Sequence, residues 1–175
     1  MTKVLWMDLE TTGLDPEVHS IIEVGAIVTD DQFTMYDQYN YIMAENPSWK
    51  WGQFALAMHE QNGLLDKCRE YNRGRLYECE HGLIKLVKDH TDKPMIIAGN
   101  SIHFDRKFIA KHMPEFNSLL HYRMIDVSGM NEAYRIFKGL NLPKVEPKHR
   151  VMDDIQDSIK LGKILMGLVT YEKNQ

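Results

Sequence analysis

The stretch Val4-Leu5-Trp6-Met7-Asp8-Leu9-Glu10-Thr11-Thr12-Gly13 reads as a β-strand that runs into acids and stops at a turn. Ile21–Val28 and Tyr36–Met43 are further apolar runs, and the short links between them predict hairpins or a meander. Phe54, Met58 and Leu65 suggest one or two short helices, and Leu76–Val87 has apolar residues near helical spacing. Pro94 precedes a strand over Met95–Ala98, which ends at Gly99-Asn100-Ser101. Ser101 is placed to cap a helix carrying Phe104, Phe108 and Ile109. Met124–Val127 is a fifth strand, and Met130–Phe137 and Val151–Val169 are helical. Three strands followed by alternating helix and strand predict an α/β fold with a mixed five-stranded sheet flanked by helices.

At 175 residues the chain has the length of one domain, expected over residues 1–170 with a short polar tail at 171–175. Apolar residues make up 43% and charged residues 26%, which excludes a disordered or collagen-like chain. The formal charge, 21 − 25 = −4, supplies no positive field for tracking long nucleic acid. Cys68 and Cys79 form neither a CxxC pair nor a disulfide framework and read as reduced thiols. No apolar run is long enough to cross a bilayer, and the acid at position 8 interrupts any signal-peptide core. The expected location is the cytoplasm, away from membranes.

The acids carry the chemistry. Asp8 and Glu10, two apart on a strand, share one face, and like charges there repel unless a cation sits between them. The pair is either a site for a hard divalent cation or two solvated acids at a strand end. Asp105, early in a helix, is either part of the same site or simply favoured by the helix dipole. In the last helix Asp153 lies in the polar stripe, while Asp154 falls on the flank of the apolar stripe, near Leu161 and Leu165. A core-facing acid needs a partner, a metal or an arginine. His149 precedes this helix on a loop and is either a surface residue or a base leaning over the site. If the four acids converge, they suit two divalent ions that activate water against a phosphodiester, with a histidine to take the proton.

Three blocks in order, Asp8-Leu9-Glu10-Thr11-Thr12-Gly13-Leu14-Asp15, Gly99-Asn100-Ser101-Ile102-His103-Phe104-Asp105-Arg106-Lys107-Phe108 and His149-Arg150-Val151-Met152-Asp153-Asp154, resemble the DEDD 3′→5′ exonucleases with a catalytic histidine. The blocks Ile21-Ile22-Glu23-Val24 and His121-Tyr122-Arg123-Met124-Ile125-Asp126-Val127-Ser128 narrow the resemblance to the oligoribonucleases. The resemblance implies an RNase H-like fold, a homodimer, and hydrolysis of very short RNA to nucleoside 5′-monophosphates. It implies that Asp8, Glu10 and Asp154 ligate two Mg²⁺ or Mn²⁺ ions, Asp8 bridging them. Asp105 would complete the set, partly through water, and His149 would be the general base. His121, Tyr122, Arg123 and Ser128, with Ser101 nearby, would bind the 5′ phosphate, the His-Tyr pair reaching into the neighbouring subunit. Leu14 would wedge between two bases and Phe54 would stack on one. Read without the resemblance, Leu14 and Phe54 are better taken as core residues.

Some positions depart from the oligoribonuclease pattern. Thr11 is closer to proofreading-type exonucleases, Arg150-Val151 replaces the more usual pair, and Leu140–Lys148 is altered, with Pro143 and Pro147 expected to set how His149 is presented. A DNA-trimming exonuclease is therefore the same-class alternative. A non-catalytic nucleotide-binding module is the other, and the retention of every metal acid stands against it.

Overall fold

The sheet is built around β1 (Lys3–Thr11), which in a computed structural model lies at the centre of the order β3-β2-β1-β4-β5. The structure describes residues 2–71, 74–139, 142 and 148–167. β2 (Ile21–Asp30) pairs antiparallel with β1 and with β3 (Met35–Ile42), whereas β4 (Met95–Gly99) runs parallel to β1 and to β5 (Leu120–Asp126). This is the predicted mixed five-stranded sheet. Leu5, Trp6 and Met7 are all buried because β1 is covered on both faces, so its sequence reads as an unbroken apolar run.

Alternation along β1 assigns the two faces. Leu5, Met7 and Leu9 enter a core with α3 (Leu76–His90), α4 (Ile102–His112) and α5 (Pro114–Ser118). Trp6 points the other way, into a smaller core with Ile155 and Leu165 of α7 (Val151–Leu165) and Val127 of α6 (Val127–Lys138). Asp8 and Glu10 continue the Trp6 face and so meet α7. Of two shorter helices, α2 (Leu64–Glu70) packs on Ile22 of β2 and Ile42 of β3, and α1 (Gln53–Gln61) lies against α2 and reaches Thr11 of β1 through His59.

α7 comes close because Gly25 lies directly across the ladder from Asp8. A Cβ built on Gly25 would lie 2.8 Å from both Val151 Cβ and Ile155 Cδ1. Gly25→Ala is therefore expected to cost about 1–3 kcal/mol by overpacking, read as a drop in thermal midpoint, and to lower activity by lifting α7 off the sheet.

The fifth strand begins at Leu120, four residues before the predicted start, and Val127 belongs to α6 instead. Ser101 precedes α4 as expected but does not cap it through its side chain; its φ is +52°. α5, a single short turn of helix opened by Pro114, is absent from the sequence-based reading. Pro143, Pro147, Val169 and the tail at 171–175 lie outside the described residues. Among the described residues no helix is long and apolar enough to cross a membrane.

Candidate active site

The parallel ladder between β1 and β4 ends at Trp6 and Ala98. Beyond it the Leu9 amide faces the gap with no strand partner on that side. Asp105, in the first turn of α4, fills this need: its Oδ1 accepts from Leu9 N at 2.9 Å. Asp105 thus reaches the sheet from the α4 side, near enough for its charge to act on Asp8 and Glu10. From the α7 side Asp154 joins those two, and carboxylate oxygens of Asp8, Glu10 and Asp154 all lie within 4.8 Å of one another.

Such crowding is unfavourable for anions. Burial pushes the Glu10 carboxyl up to about 8, with repulsion from Asp154, Glu23 and Asp105 adding to it. Asp8 is raised well above the ordinary carboxylate range, by burial and then by Asp105, Glu10 and Asp154. Burial also pushes Asp105 up to about 8, against the Leu9 hydrogen bond. Three oxygen donors that repel one another, Glu10 buried and Asp8 and Asp154 half-buried and open to an entering ion, fit a hard divalent cation. The sequence anticipated that Asp154 would need a partner. Besides facing the other acids, it accepts backbone hydrogen bonds from Lys148 N (2.9 Å) and Arg150 N (3.2 Å).

These two amides flank His149, which sits on the loop before α7 as expected. His149 has φ +55°, one of three non-glycine residues with positive φ among the described residues. A left-handed residue with a Cβ costs about 1–2 kcal/mol, so the surrounding bonds must hold it. Asp153, in the polar stripe, pairs with Lys148 Nζ at 3.5 Å.

Two further groups surround the acids and carry no role in the sequence-based reading. Glu23, opposite Glu10 across the β1–β2 ladder, is fully buried and takes both arms of Arg150, Nε at 3.1 Å and Nη2 at 3.0 Å. Its signal was an acid inside the apolar run Ile21–Val24. His59, also fully buried, sets Nε2 3.1 Å from the Thr11 carbonyl and 3.7 Å from Glu10 Oε2. Its signal was the i, i+4 pairing with Ala55, the other buried residue of α1.

Leu14 and Phe54 are 80% and 79% exposed, so neither is a core residue. They border one place: the Thr12 carbonyl accepts from Gly52 N (2.8 Å), tying the Leu14 loop to the start of the helix that carries Phe54. The loop is closed by Thr12 N to Ser20 O (2.8 Å) and Ser20 N to Thr12 Oγ1 (2.9 Å).

Ser101 and Ser128 come together, their hydroxyls 3.1 Å apart. Both are organised by Asp126, whose carboxylate accepts from Ser101 N, Ser128 N, Ser128 Oγ and Gly129 N and pairs with His103 Nδ1 at 2.9 Å. His121, Tyr122 and Arg123 lie on edge strand β5. The His121 and Tyr122 rings stack at 4.4 Å, and the Arg123 guanidinium lies 4.8 Å from the Tyr122 ring centre.

Comparison with known proteins follows the same lines. The exonuclease family profile matches residues 5–161. An oligoribonuclease from Corynebacterium glutamicum is 37% identical over 166 residues, covering 90% of this chain and 75% of the relative. A mitochondrial oligoribonuclease from Mus musculus is 34% identical over 165 residues, covering 90% and 69%. A solved zinc-bound complex of E. coli exonuclease I with single-stranded DNA superposes with a TM-score of 0.72 at 17% identity, over 96% of this chain. This chain spans 41% of that protein's length, and the likeness is one of fold.

Proposed function

The chain belongs to the exonuclease family and, within it, to the oligoribonucleases, and from that premise we propose that it removes nucleotides from the 3′ end of very short RNA, dinucleotides foremost, releasing nucleoside 5′-monophosphates. The observation that carries the proposal is the cluster of Asp8, Glu10 and Asp154 oxygens within 4.8 Å, with the His149 loop fastened to one of its members.

Asp8, Glu10 and Asp154, completed by Asp105, would hold two divalent cations, Mg²⁺ or Mn²⁺. Such a pair, when bound, lowers the pKa of water and offsets charge on the leaving oxygen. His149 acts as general base, taking a proton from the attacking water. Arg123 offers a forked pair of donors suited to a terminal phosphate, with the hydroxyls of Ser101 and Ser128 as further donors and His121 and Tyr122 beside it. Leu14 separates the two bases, and Phe54 stacks on one of them, a contact worth about 1–3 kcal/mol. The exposed Ile136 and Phe137 of α6, together with the exposed Tyr122, suit a homodimer. The Cys68 and Cys79 thiols, both pushed up to about 12 by burial, suit reduced residues in the cytoplasm. The catalytic domain takes up residues 1–170, and 171–175 are a tail.

A length series of 5′-phosphorylated RNAs with Mg²⁺, run beside a deoxydinucleotide, tests this reading. The expected result is fastest turnover of the diribonucleotide. A long strand cut as fast as the dimer would remove the short-substrate assignment, and faster cutting of the deoxydinucleotide would favour a DNA-trimming enzyme.

A further inference from the structure

We propose that Asn62 is a positioning residue for the general base: its side-chain amide holds the His149 backbone in the left-handed conformation from which the imidazole works. The inference rests on the assignment of His149 as base.

Asn62 is the residue that ends α1. Its Oδ1 accepts from Leu64 N at 3.0 Å, and its Nδ2 donates to the His149 carbonyl at 2.8 Å, across 87 positions of sequence. The two partners fix which way the amide points: a backbone N–H requires the oxygen, and a carbonyl requires the NH₂. The peptide unit joining His149 to Arg150 is therefore anchored at both ends. Its N–H is held by Asp154 Oδ2 and its C=O by Asn62. That plane sets one of the two torsions of a residue already at φ +55°. Removing one anchor frees ψ of His149, so the loop and the imidazole it carries can shift relative to the acids.

The same residue links base placement to the substrate face. α1 begins beside the exposed Phe54 and ends at Asn62. Both ends of this one helix thereby touch the reaction, through the base-stacking aromatic and through the His149 carbonyl. Nothing in the sequence pairs position 62 with 149, because a C-terminal asparagine in a short helix reads as an ordinary helix stop.

Asn62→Asp removes the donor and keeps the acceptor, and Asn62→Ala, measured beside it, removes both without adding a charge. The carboxylate still accepts from Leu64 N, but it cannot donate to the His149 carbonyl. With a 5′-phosphorylated diribonucleotide and saturating Mg²⁺, kcat is expected to fall by about tenfold or more, as small displacements of reacting groups do, with KM within about twofold of the parent. In a His149→Ala background the same change is expected to have no further effect on kcat, since the two residues act as one unit. Asn62→Ala gives the same comparison if the aspartate variant does not fold. Parental kcat in the single variant overturns the inference, as does an equal loss with and without His149. Should His149→Ala itself turn over at the parental rate, the base assignment falls first. That outcome is distinct from the other two.

Discussion

Asp8→Asn is expected to lose about 10³-fold or more in kcat, because several kcal/mol of charge stabilisation would pass through the cations this carboxylate is proposed to hold. The fold is expected to survive. Asp8 lies half-buried beside Glu10, Asp105, Asp154 and Glu23, and its charge is unfavourable to each of them. An asparagine of the same shape removes that repulsion. Without divalent ions, the melting midpoint of the variant at pH 8 should therefore equal or exceed that of the parent, while diribonucleotide turnover in Mg²⁺ disappears. Turnover near the parental rate would show that Asp8 is not a ligand of the reacting centre. Loss of both activity and fold would show that the strand needs the carboxylate structurally.

Thermal melts of the chelator-treated protein across pH 5–8.5 should show stability falling as pH rises. Glu10 and Asp105 have folded-state pKa values near 8, against ordinary values near 4, and Asp8 is shifted in the same direction. Between these limits the folded chain holds more protons than the unfolded one, so each unit of pH removes stability. The contribution is fully present below about pH 4 and lost as pH approaches 8. Each buried acid raised in this way corresponds to a few kcal/mol, on the order of 5 at most. His59 works in the opposite sense. Burial lowers its pKa, so its protonation opposes folding below about 6.5. The decline should accordingly be steepest between about pH 6.5 and 8. Added Mg²⁺ or Mn²⁺ should raise the midpoint more at pH 8 than at pH 5, where protons compete for the same oxygens. A midpoint flat from pH 6.5 to 8, with and without the ion, would mean that the acids do not burden the metal-free fold.

Strand order and site were legible to different depths. β1, β2 and β4 announce themselves as apolar runs closed by turns, and period-2 alternation alone puts Asp8 and Glu10 on one face. Helical spacing likewise separates Asp154 from Asp153. β5 was read short because Leu120–Arg123 carries no apolar run: Tyr122 and Arg123 are exposed on the edge of the sheet, and only Leu120 is buried there. Ser101 looked like a cap because capping propensity is local, whereas its hydroxyl is engaged by Ser128 from another element. Leu14 and Phe54 could not be told from core residues by composition; exposure alone distinguishes them. The least legible contacts join distant segments through polar atoms, as in Glu23 with Arg150 and Asn62 with His149. Hydrophobic periodicity carries no information about such pairs.

The fastening of the His149 loop to Asp154 has a consequence for biosynthesis. The chain is made from its first residue onward, and domains acquire structure as they emerge. β1 supplies Asp8 and Glu10 within the first ten residues, and α4 supplies Asp105 well before the last helix is made. Both the closing acid and the loop carrying the base belong to α7 and its entry, beyond residue 147. A nascent chain with the whole sheet already formed therefore lacks Asp154 from the acid cluster and the loop that carries the proposed base. Under the proposed assignment, catalytic competence would wait for α7 to dock against Gly25, so a chain not yet elongated past this helix would not hydrolyse RNA fragments.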